Sequence, residues 1–444
     1  MDAREVALLT LNACERQGGW SDGVLKKQIA AAGLDSRDAG LATQLCFGVI
    51  QNRILLDFYL SKFSNIPLRR LEGKVLQALR LGLYQMLFLT RIPHSAAVDQ
   101  SVALTRAHCK NPRAPGMVNA ILRNLERSLD RLPTIPEDDP AEYYATLYSH
   151  PVWLVRELLE TLGSEGTAAF LQADNSQPPI TAMVNTVKTD LEGALEALQA
   201  EGVHGEPHPW LKNCLVLSRS GSLEELDAFQ NGLFYVQDPA SRLAVMALDP
   251  EPGSRVLDMC AAPGGKSFAA AIQMKDQGEI WSCDLHPHKK TLIQKGAQRL
   301  GLTCIRPQTA DGKVRRPEWE GTFDRVLVDA PCSGLGVIRK KPDIRFKDPE
   351  PLSGLPQVQS AILDNAAGYM KPGGVLVYST CTILERENRA VTDAFLAAHP
   401  EFSRERFLLP GPAGEVSEGQ ITLWPQVHGT DGFYICKLRK DGEA

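Results

Sequence analysis

The segment that most constrains the fold of this chain is Val256-Leu-Asp-Met-Cys-Ala-Ala-Pro-Gly-Gly-Lys266. A short apolar run ends at an acid, turns through a proline and two glycines, and enters a stretch at 267–272 with helical character. Strand, glycine turn and helix in this order are typical of the first unit of a doubly wound α/β domain. Glycines allow a ligand close to the backbone, and the helix start offers free N–H groups. A phosphate-binding turn and a purely structural turn look similar, so the segment alone leaves the ligand open.

The sequence after position 233 alternates between two patterns. Strand-like runs occur at 255–258, 279–285, 303–308, 323–328 and 374–379, and helical patterns at 267–274, 288–300, 357–370 and 388–398. Such alternation predicts an α/β fold with a mostly parallel sheet and right-handed crossovers. Two further runs, at 421–424 and 432–438, have little helix between them, and we expect them to pair as an antiparallel edge.

Acidic residues follow the strands of this predicted sheet. Asp284 comes 19 residues after the last glycine of the turn, close to the spacing of about 20 expected for an acid that binds ribose hydroxyls. Asp311 follows the third strand and Asp329 the fourth. Ligands of such sheets bind beyond the carboxyl ends of the strands, so these acids, with Asp258 or Cys260 after the first strand, predict a nucleoside-binding rim. The alternative is that they cap helices or form turns.

Two of the ten cysteines share this rim. Asp329-Ala-Pro-Cys332 closes the fourth strand, and Ser379-Thr-Cys381 closes the fifth. We expect most of the other cysteines to be small buried apolar residues. A thiolate at a ligand-binding edge differs from these, because it is a strong nucleophile.

A nucleoside cofactor, a thiolate and an acid together suit one reaction well. Carbon 5 of a pyrimidine becomes nucleophilic when a thiolate adds to carbon 6, and it then attacks the sulfonium methyl group of S-adenosylmethionine. Asp329 near ring nitrogen 3 would stabilise the charge that develops during addition. The carbon-5 proton must then leave and the thiolate be expelled, a step for which Cys332 is available.

The first 131 residues differ from the rest in charge and in periodicity. They hold 18 Lys and Arg against 11 Asp and Glu, while the remainder holds 30 against 42. Helical spacing at 5–12, 41–50, 75–89 and 117–125 predicts an all-α bundle. The excess of positive charge indicates an anionic partner, for which RNA is the commonest candidate. A solvated basic surface on the helices would give the same charge pattern. The candidates for a phosphate-facing side are Arg53, Arg69, Arg70, Lys74, Lys110, Arg113, Arg123 and Arg127.

Prolines and acids mark a break after this bundle. We expect a linker at 132–142, because three prolines and three acids make a helix improbable at 132–140. A small α+β module at 143–233 and the α/β domain at 234–444 follow it. The elements predicted in the module are strands at 180–184 and 214–217 and a helix at 190–201.

Features of several other protein classes are missing from the sequence. The start carries charges of both signs and leads into no long apolar region, so we expect no signal peptide. The apolar segment 75–92 is interrupted by Arg80 and Arg91, which favours a buried core helix over a membrane span. The absence of a Cys-x-x-Cys pair argues against a zinc site or a disulfide framework and for a reducing cytoplasm. No segment has the pattern of a dimer seam, so a monomer is expected.

Three motifs resemble the signature of the RNA cytosine-C5 methyltransferases. They are Asp258-Met-Cys-Ala-Ala-Pro-Gly-Gly-Lys-Ser267, Asp329-Ala-Pro-Cys-Ser-Gly334 and Tyr378-Ser-Thr-Cys-Thr382 with Glu387-Asn388. The resemblance implies a class I, Rossmann-like domain that uses S-adenosylmethionine. It implies that Cys381 is the nucleophile and that Cys332 assists product release. Lys266 would orient these groups, and Asp329 would lie near the target base. The implied cofactor contacts are Cys260, Ala261, Ala262, Pro263, Gly264, Gly265, Lys266, Asp284, Asp311 and Asp329.

The rest of the chain extends the resemblance. A helical bundle similar to NusB precedes the motifs Ser149-His-Pro-Val-Trp-Leu154 and Asn175-Ser-Gln-Pro-Pro179, and His428-Gly-Thr-Asp-Gly-Phe433 closes the chain. This arrangement is similar to the family members that methylate bacterial small-subunit (16S) rRNA, and it implies that rRNA, or an assembly intermediate, is the partner. The chain departs from the family at Met183, where arginine is usual two residues before Asn185, which puts one RNA contact in question.

A basic run from Arg339 to Lys347 lies just after Cys332. We expect it to contact phosphates at the border of the substrate cleft, with Phe346 stacking on a base. A solvated charged loop is the alternative. The target base must be unpaired or flipped out before a thiolate reaches its carbon 6.

Other functions stay open on the sequence alone. A DNA cytosine-C5 methyltransferase would take its nucleophile from a Pro-Cys motif, and the added Thr-Cys motif and the basic bundle count against it. A methyltransferase acting on another RNA, or an RNA-binding factor in ribosome assembly, would share much of this pattern. A small-molecule methyltransferase does not account for the basic first domain.

Overall fold

The computed structural model describes residues 1–17, 20–218 and 221–442. The chain divides into two compact units, the first made of Met1–Ser176 and Lys340–Lys347, the second of Gln177–Arg339 and Asp348–Ala444. An eight-residue segment that follows the Pro-Cys motif thus belongs to the first unit. The four-part division with boundaries after 131, 142 and 233 stays a prediction.

The first unit is helical, as the periodicity predicts. Its helices are α1 (Ala3–Gln17), α2 (Ser21–Ala32), α3 (Ser36–Gln51), α4 (Arg53–Phe63), α5 (Gly73–Phe88), α6 (His94–His108), α7 (Ala114–Glu126), α8 (Pro140–Leu147) and α9 (Val152–Asp174). Leu45 of α3, Leu79 of α5 and Leu122 of α7 are fully buried in one core. The four patterns predicted as helices fall on α1, α3, α5 and α7.

Helix α5 is buried along most of its length, which explains an arginine within an apolar segment. Arg80 is only 4% exposed, and its guanidinium donates to Asp57 at 2.6 Å and to Glu15 at 3.2 Å. A buried charge is tolerated when it is paired in this way. The expectation of a buried core helix is confirmed. Within the described ranges, no helix is long and apolar enough to cross a membrane.

The predicted linker contains the start of a helix. Helix α8 begins at Pro140, the last residue of the stretch 132–140 in which we expect no helix, and so lies partly within the predicted linker. Proline suits the first helical position, because its missing N–H would have no partner there. The carboxylate of Asp139 accepts a hydrogen bond from the Ala141 N–H at 2.8 Å and caps the helix. Residues interpreted as helix breakers therefore begin one.

The motif around Ser149 and His150 joins α8 to α9. Ser149 has a φ of +59°, and its Oγ accepts a hydrogen bond from the Ile54 N–H at 2.7 Å. His150 is fully buried, with its ring nitrogens 2.8 Å from the Tyr148 carbonyl oxygen and 2.9 Å from the Asp174 carboxylate. The motif therefore fixes the junction between two helices.

Arg345 is fully buried within the helical unit. Its Nη1 donates to the carbonyl oxygens of Gln51 at 2.7 Å and Ser149 at 3.0 Å, and its Nη2 donates to Asn175 Oδ1 at 3.0 Å. Burial lowers the pKa of Arg345 to about 10, which still leaves it charged at neutral pH. The prediction that the basic run contacts phosphates is wrong for this residue, because its charge faces the protein interior.

The other arginines and lysines predicted to face phosphates are mixed in their exposure. Arg123 pairs with Asp99 at 2.7 Å and with Glu126 at 3.0 Å, so its charge is balanced within the bundle. Those that are exposed are Arg69, Arg70, Lys110, Arg113 and Arg127. A phosphate-binding role for this set stays a prediction.

The second unit begins with a small antiparallel sheet. Its elements are β1 (Ile180–Val184), α10 (Leu191–Ala200), β2 (His204–Pro207), β3 (Cys214–Ser218), α11 (Asp227–Gln230) and β4 (Phe234–Val236), with strand order β2-β3-β1-β4. The predicted strands correspond to β1 and β3 and the predicted helix to α10. The sequence missed β2 and β4, which are short; β2 also contains Gly205 and Pro207, residues that disfavour strands.

Met183 and Asn185 are both buried inside the second unit. Asn185 Nδ2 donates to the carbonyl oxygens of Gly232 at 2.9 Å and Leu300 at 2.8 Å. Met183 is 3% exposed and packs in the apolar core. The position at which the family usually has arginine is therefore a core position in this chain.

A mixed eight-stranded sheet lies at the centre of the second unit. Its strands are β5 (Arg255–Asp258), β6 (Glu279–Asp284), β7 (Ile305–Thr309), β8 (Phe323–Asp329), β9 (Met370–Thr380), β10 (Phe402–Arg404), β13 (Gln420–Leu423) and β14 (Phe433–Lys440). A separate pair is formed by β11 (Phe407–Leu408) and β12 (Glu415–Val416). The remaining helices are α12 (Pro239–Leu248), α13 (Gly265–Gln273), α14 (Pro287–Leu300), α15 (Pro349–Leu352), α16 (Leu355–Tyr369), α17 (Arg389–Ala398) and α18 (Pro425–His428).

The strand order β10-β14-β9-β8-β5-β6-β7 confirms the predicted α/β architecture. Strands β5 to β9 are parallel, and β14 pairs antiparallel with β9, β10 and β13. The predicted antiparallel pair is present, but β14 lies inside the sheet because β10 and β13 cover its outer edge. The chain leaves β5 toward β6 and returns on its other side at β8. The carboxyl ends of β5 and β8 thus border the crevice in which such sheets bind ligands.

Candidate active site

The turn between β5 and α13 has the shape that its glycines require. Gly264 has a φ of +114°, and a Cβ at this position would lie 2.4 Å from the Phe268 ring. The Ala261 N–H donates to the Cys283 carbonyl oxygen at 2.7 Å, which ties the turn to β6. The main chain at the start of α13 is therefore held open at the ligand edge of the sheet.

A buried chain of hydrogen bonds supports this turn from below. Ser267 Oγ donates to Asp258 Oδ2 at 2.7 Å, and Ser282 Oγ donates to Ser267 Oγ at 2.7 Å. Burial raises the pKa of Asp258 to about 7, against the opposing effect of the Ser267 hydrogen bond. The other oxygen, Oδ1, is buried and has no hydrogen-bond partner among the described residues.

Asp284 and Asp311 lie at the ends of neighbouring strands, as predicted. Asp284 ends β6; its Oδ1 accepts from the His286 N–H at 3.0 Å, and its Oδ2 lies 3.5 Å from Lys289 Nζ. Asp311 lies two residues beyond β7, and its Oδ1 accepts from the Lys313 N–H at 2.9 Å. Both carboxylates therefore accept hydrogen bonds within turns, which is the alternative that the sequence left open.

Asp329, at the end of β8, holds the ammonium group of Lys266. Lys266 Nζ lies 2.7 Å from Asp329 Oδ2, and Ser379 Oγ donates to Asp329 Oδ1 at 2.8 Å. Burial alone would lower the pKa of Lys266, but the charge and hydrogen bond of Asp329 and the charge of Cys381 raise it. Lys266 thus stays protonated beside the sites of two potential anions.

The two cysteines singled out from the sequence are brought together. Cys332 Sγ lies 3.2 Å from Cys381 Sγ, and both side chains are partly exposed. The hydrogen bond to Cys381, burial, and the charges of Glu387 and Asp329 raise the pKa of Cys332 well above its usual range. Cys332 is therefore a thiol at neutral pH.

Cys260 is a third cysteine at the turn, with a different environment. Its pKa is raised well above the usual range by burial and by the nearby carboxylates of Asp258, Asp329 and Asp284. These charges disfavour a thiolate at this position, which separates Cys260 from a nucleophilic role.

Glu387 fixes the loop that carries Cys332. Glu387 and Gln359 are both fully buried. Glu387 Oε2 accepts hydrogen bonds from the Ser333 N–H and from Gln359 Nε2, each at 2.9 Å. Gln359 Nε2 also donates to the Pro331 carbonyl oxygen at 3.0 Å. A buried carboxylate thus holds the residues on both sides of the Pro-Cys cysteine.

The sequence missed Gln359 and gave Glu387 no role beyond its motif. Gln359 lies on the buried face of α16 among apolar residues. A polar side chain on the apolar stripe of a helix is the one signal that points to it, because buried polar groups require partners.

The loop around the closing motif packs directly against the second cysteine. The Gly336 N–H donates to the Cys381 carbonyl oxygen at 2.9 Å, and the Gly432 N–H donates to the Gly336 carbonyl oxygen at 2.8 Å. A Cβ on Gly336 would lie 1.8 Å from the Gly432 carbonyl oxygen, so the close approach requires glycine.

Arg339 belongs to this packing and not to a free basic surface. Its Nε lies 2.8 Å from Asp431 Oδ1 and its Nη2 lies 3.6 Å from Asp238 Oδ2. Its side chain is only 5% exposed. The prediction that the basic run contacts phosphates is therefore also wrong for Arg339.

The predicted cofactor fits the carboxyl edge of the sheet. S-adenosylmethionine carries a ribose with two hydroxyls, and Asp284 is the acid at the end of the second strand. The open main chain at Gly264 and the unpartnered Oδ1 of Asp258 lie at the same edge. The residues that could hold the cofactor are those of the turn 260–266 with Asp284, Asp311 and Asp329.

Comparisons with known proteins cover most of the chain. The NusB family matches residues 1–127, the ferredoxin-like domain of Methyltr_RsmF/B-like proteins matches 150–224, and 16S rRNA methyltransferase RsmB/F matches 245–439. The chain is 40% identical over 446 residues to the probable ribosomal RNA small subunit methyltransferase B of Bacillus subtilis, with 99% of each chain covered.

Two crystal structures have a similar fold. The protein PH0851 superposes with a TM-score of 0.81 at 26% identity over 99% of both chains. NSun6 from Pyrococcus horikoshii, solved with SFG, superposes with a TM-score of 0.59 at 22% identity over 67% of this chain and all of the other.

Proposed function

This chain belongs to the S-adenosylmethionine-dependent family 16S rRNA methyltransferase RsmB/F, and we propose that it methylates carbon 5 of a cytosine in small-subunit rRNA. The reaction would pass through a covalent bond between Cys381 and carbon 6 of the base. The observation that carries the proposal is the pair of thiols 3.2 Å apart beside the ion pair of Lys266 and Asp329.

Cys381 is the proposed nucleophile because its surroundings favour a thiolate. The ammonium group of Lys266 and the charge of a Cys381 thiolate attract each other, which is one cause of the raised pKa of Lys266. The pKa of Cys332 is instead raised by its hydrogen bond to Cys381, by burial and by the charges of Glu387 and Asp329. A thiolate attacks and a thiol does not, so the two cysteines take different roles.

Addition of the Cys381 sulfur to carbon 6 forms the S–C6 bond and pushes electron density into the ring toward nitrogen 3. The ion pair of Asp329 and Lys266 would hold a proton close to that nitrogen and stabilise the charge. S-adenosylmethionine supplies the electrophilic methyl group that carbon 5 then takes.

Cys332 would act in the last step. Carbon 5 carries both a proton and the new methyl group after transfer, and the S–C6 bond must break to restore the ring. As the S–C6 bond breaks and the C5–C6 double bond forms, the Cys332 thiol would give its proton to the departing Cys381 sulfur and take the carbon-5 proton in its place, so that charge and atoms balance and both sulfurs end as thiols. The contact of 3.2 Å between the two sulfur atoms gives the thiol proton a direct path from Cys332 to Cys381.

The substrate is proposed from the relatives and from the helical unit. The Bacillus subtilis relative is named for ribosomal RNA of the small subunit. A bundle matching the NusB family with a basic sequence suits an RNA partner, either free rRNA or an assembly intermediate. A cytoplasmic location forms part of the same proposal.

The test is methyl transfer from labelled S-adenosylmethionine to unmodified small-subunit rRNA, with the product mapped by nucleotide. We expect 5-methylcytosine at one site, no transfer by Cys381→Ala, and a stalled RNA–protein adduct with Cys332→Ala. Transfer that survives Cys381→Ala would refute the nucleophile. Transfer only to another RNA would replace the substrate, and binding without transfer by the wild type would favour an assembly factor.

A further inference from the structure

A cavity of about 380 Å³ lies within the helical unit. Side chains from α1, α3, α4 and α5 and from the segment Lys340–Lys347 line it. Its volume lies in the range of sites that hold a small molecule or a single nucleotide unit. The proposed reaction uses none of its lining residues.

Arg53 supplies hydrogen-bond donors to this cavity. Its guanidinium lies over the Phe346 ring at 3.4 Å from the centroid, so the plane of the group is fixed. No hydrogen bond or ion pair of Arg53 occurs within the described residues. Burial and the charge of Arg80 lower the pKa of Arg53, while the charges of Glu15, Asp57 and Asp343 raise it. A fixed, partly buried guanidinium without an acceptor is suited to bind one from outside.

Gln77 supplies an acceptor on the same lining. The side chain is 2% exposed, and its Nε2 donates to a Glu15 carboxylate oxygen. Because a carboxylate accepts only, that contact fixes which end of the amide is the oxygen. Gln77 Oε1 is buried and has no partner in the part of the chain that the structure describes. Buried acceptors of this kind are rare in folded proteins and indicate a missing partner.

The other charged groups of the cavity have partners. Glu15 pairs with Arg80 at 3.2 Å, and Arg80 also pairs with Asp57 at 2.6 Å. Asp343 Oδ2 accepts a hydrogen bond from the Ser21 N–H at 3.2 Å, and Lys347 Nζ lies 5.3 Å from the centroid of the Trp20 ring. Among the described lining residues, Arg53 is thus a donor, and Gln77 Oε1 an acceptor, without a hydrogen-bond partner. A ligand that fits must present an acceptor and a donor together, as the polar edge of every nucleobase does.

Aromatic groups complete the cavity. Phe346 lines it beneath Arg53, and Trp20, which is 52% exposed, lines it at the surface. Aromatic side chains beside polar groups are the usual recognition elements for unstacked RNA bases. We propose that this cavity binds one unpaired nucleobase of the RNA substrate, with Arg53 donating to the base and Gln77 Oε1 accepting from it. The inference rests on the proposed RNA substrate for the source of the base.

The first experiment measures binding of a fluorescently labelled single-stranded RNA oligonucleotide to the full chain. Arg53→Gln is compared with Arg106→Gln, which removes the same charge from an exposed position of α6 outside the cavity. We expect Arg53→Gln to weaken binding about tenfold or more, and Arg106→Gln by about twofold or less. Equal losses in the two variants would reduce the effect to general electrostatics and overturn the proposal.

A second variant removes the acceptor without changing charge. Gln77→Met should weaken binding to a similar extent as Arg53→Gln, and thermal unfolding of both variants shows whether the helical unit stays folded. If Gln77→Met is folded and binds RNA as the wild type does, the proposal is refuted. Photo-crosslinking with an oligonucleotide carrying 5-iodouridine should place the base on Trp20 by mass spectrometry.

Competition separates an RNA base from a free nucleotide. We expect the four nucleoside monophosphates to compete only weakly, because the oligonucleotide adds backbone contacts. A monophosphate that binds as tightly as the oligonucleotide would overturn RNA as the source. Methyl transfer is measured on the same samples: an inactive wild type refutes the proposed function, whereas an active wild type with unaffected Arg53→Gln refutes only this site.

Discussion

The Sγ atoms of Cys332 and Cys381 lie 3.2 Å apart, yet their surroundings differ in charge. The hydrogen bond to Cys381, burial, and the charges of Glu387 and Asp329 raise the pKa of Cys332, whereas the charge of Cys381 and the ammonium group of Lys266 attract each other. We therefore expect iodoacetamide at about pH 7.5 to alkylate Cys381 before Cys332, since the thiolate is the reactive form. Peptide mass spectrometry over a time course identifies the modified residue.

Single variants give the controls for this order of reaction. In Cys332→Ala, Cys381 should still be alkylated, and methyl transfer should be lost. In Cys381→Ala, Cys332 should be alkylated slowly. Faster alkylation of Cys332 in the wild type would contradict the assignment of the thiolate.

Asp258 makes stability depend on pH. Its pKa is about 7 in the folded protein, against about 3.9 for an ordinary Asp in an unfolded chain. Between these values the unfolded chain releases the proton and the folded chain keeps it, so stability falls as pH rises through the window. The free energy of unfolding is therefore on the order of 4 kcal/mol lower above pH 7 than it is below about pH 4. Asp258→Asn cannot ionise, so its melting temperature relative to the wild type should rise steadily from about pH 4 to about pH 7.

Differential scanning calorimetry across this pH range measures the difference. Asp249→Asn is the matched control, because Asp249 is exposed and already has a left-handed backbone that asparagine tolerates. A constant difference between Asp258→Asn and the wild type at all pH values would contradict the raised pKa.

Glu387 positions the Cys332 loop and raises the pKa of Cys332. In Glu387→Gln, the amide oxygen can take the place of Oε2 and keep both hydrogen bonds, and the N–H₂ group replaces Oε1, which has no hydrogen-bond partner among the described residues, so the variant removes mainly the negative charge. We expect methyl transfer to fall about tenfold or more, with Cys332 titrating at lower pH because the nearby charge is gone.

The titration is followed by alkylation of Cys332 in a Cys381→Ser background, with and without Glu387→Gln. Glu385→Gln serves as the control, since Glu385 is exposed two residues earlier. If activity falls while the titration of Cys332 is unchanged, Glu387 acts by positioning the Cys332 loop and not through its charge.

The sequence predicted the site to the extent that it depends on strand ends. Asp329, Cys332 and Cys381 follow the neighbouring parallel strands β8 and β9, and regular alternation is enough to place such residues together. The residues that hold the Cys332 loop could not be predicted in this way, because the role of Gln359 depends on which face of α16 is buried.

Arg345 shows the same limit. Its charge and its basic neighbours indicate a surface, and only the fold shows that the segment Lys340–Lys347 belongs to the helical unit. Residue type predicts an average environment, whereas three acceptors arranged around one guanidinium are a product of tertiary structure.

Replacing Arg345 should therefore lower the stability of the helical unit more than it weakens RNA binding. In Arg345→Met the carbonyl oxygens of Gln51 and Ser149 and the amide oxygen of Asn175 lose their donor inside the protein. Unsatisfied buried acceptors of this number cost about 3–5 kcal/mol, which lowers the melting temperature of the helical unit by about 10 °C. Lys341→Met, at an exposed position of the same segment, should shift it by less than about 2 °C. Calorimetry of both variants decides the matter, because a phosphate-binding Arg345 would weaken RNA binding and leave the melting temperature unchanged.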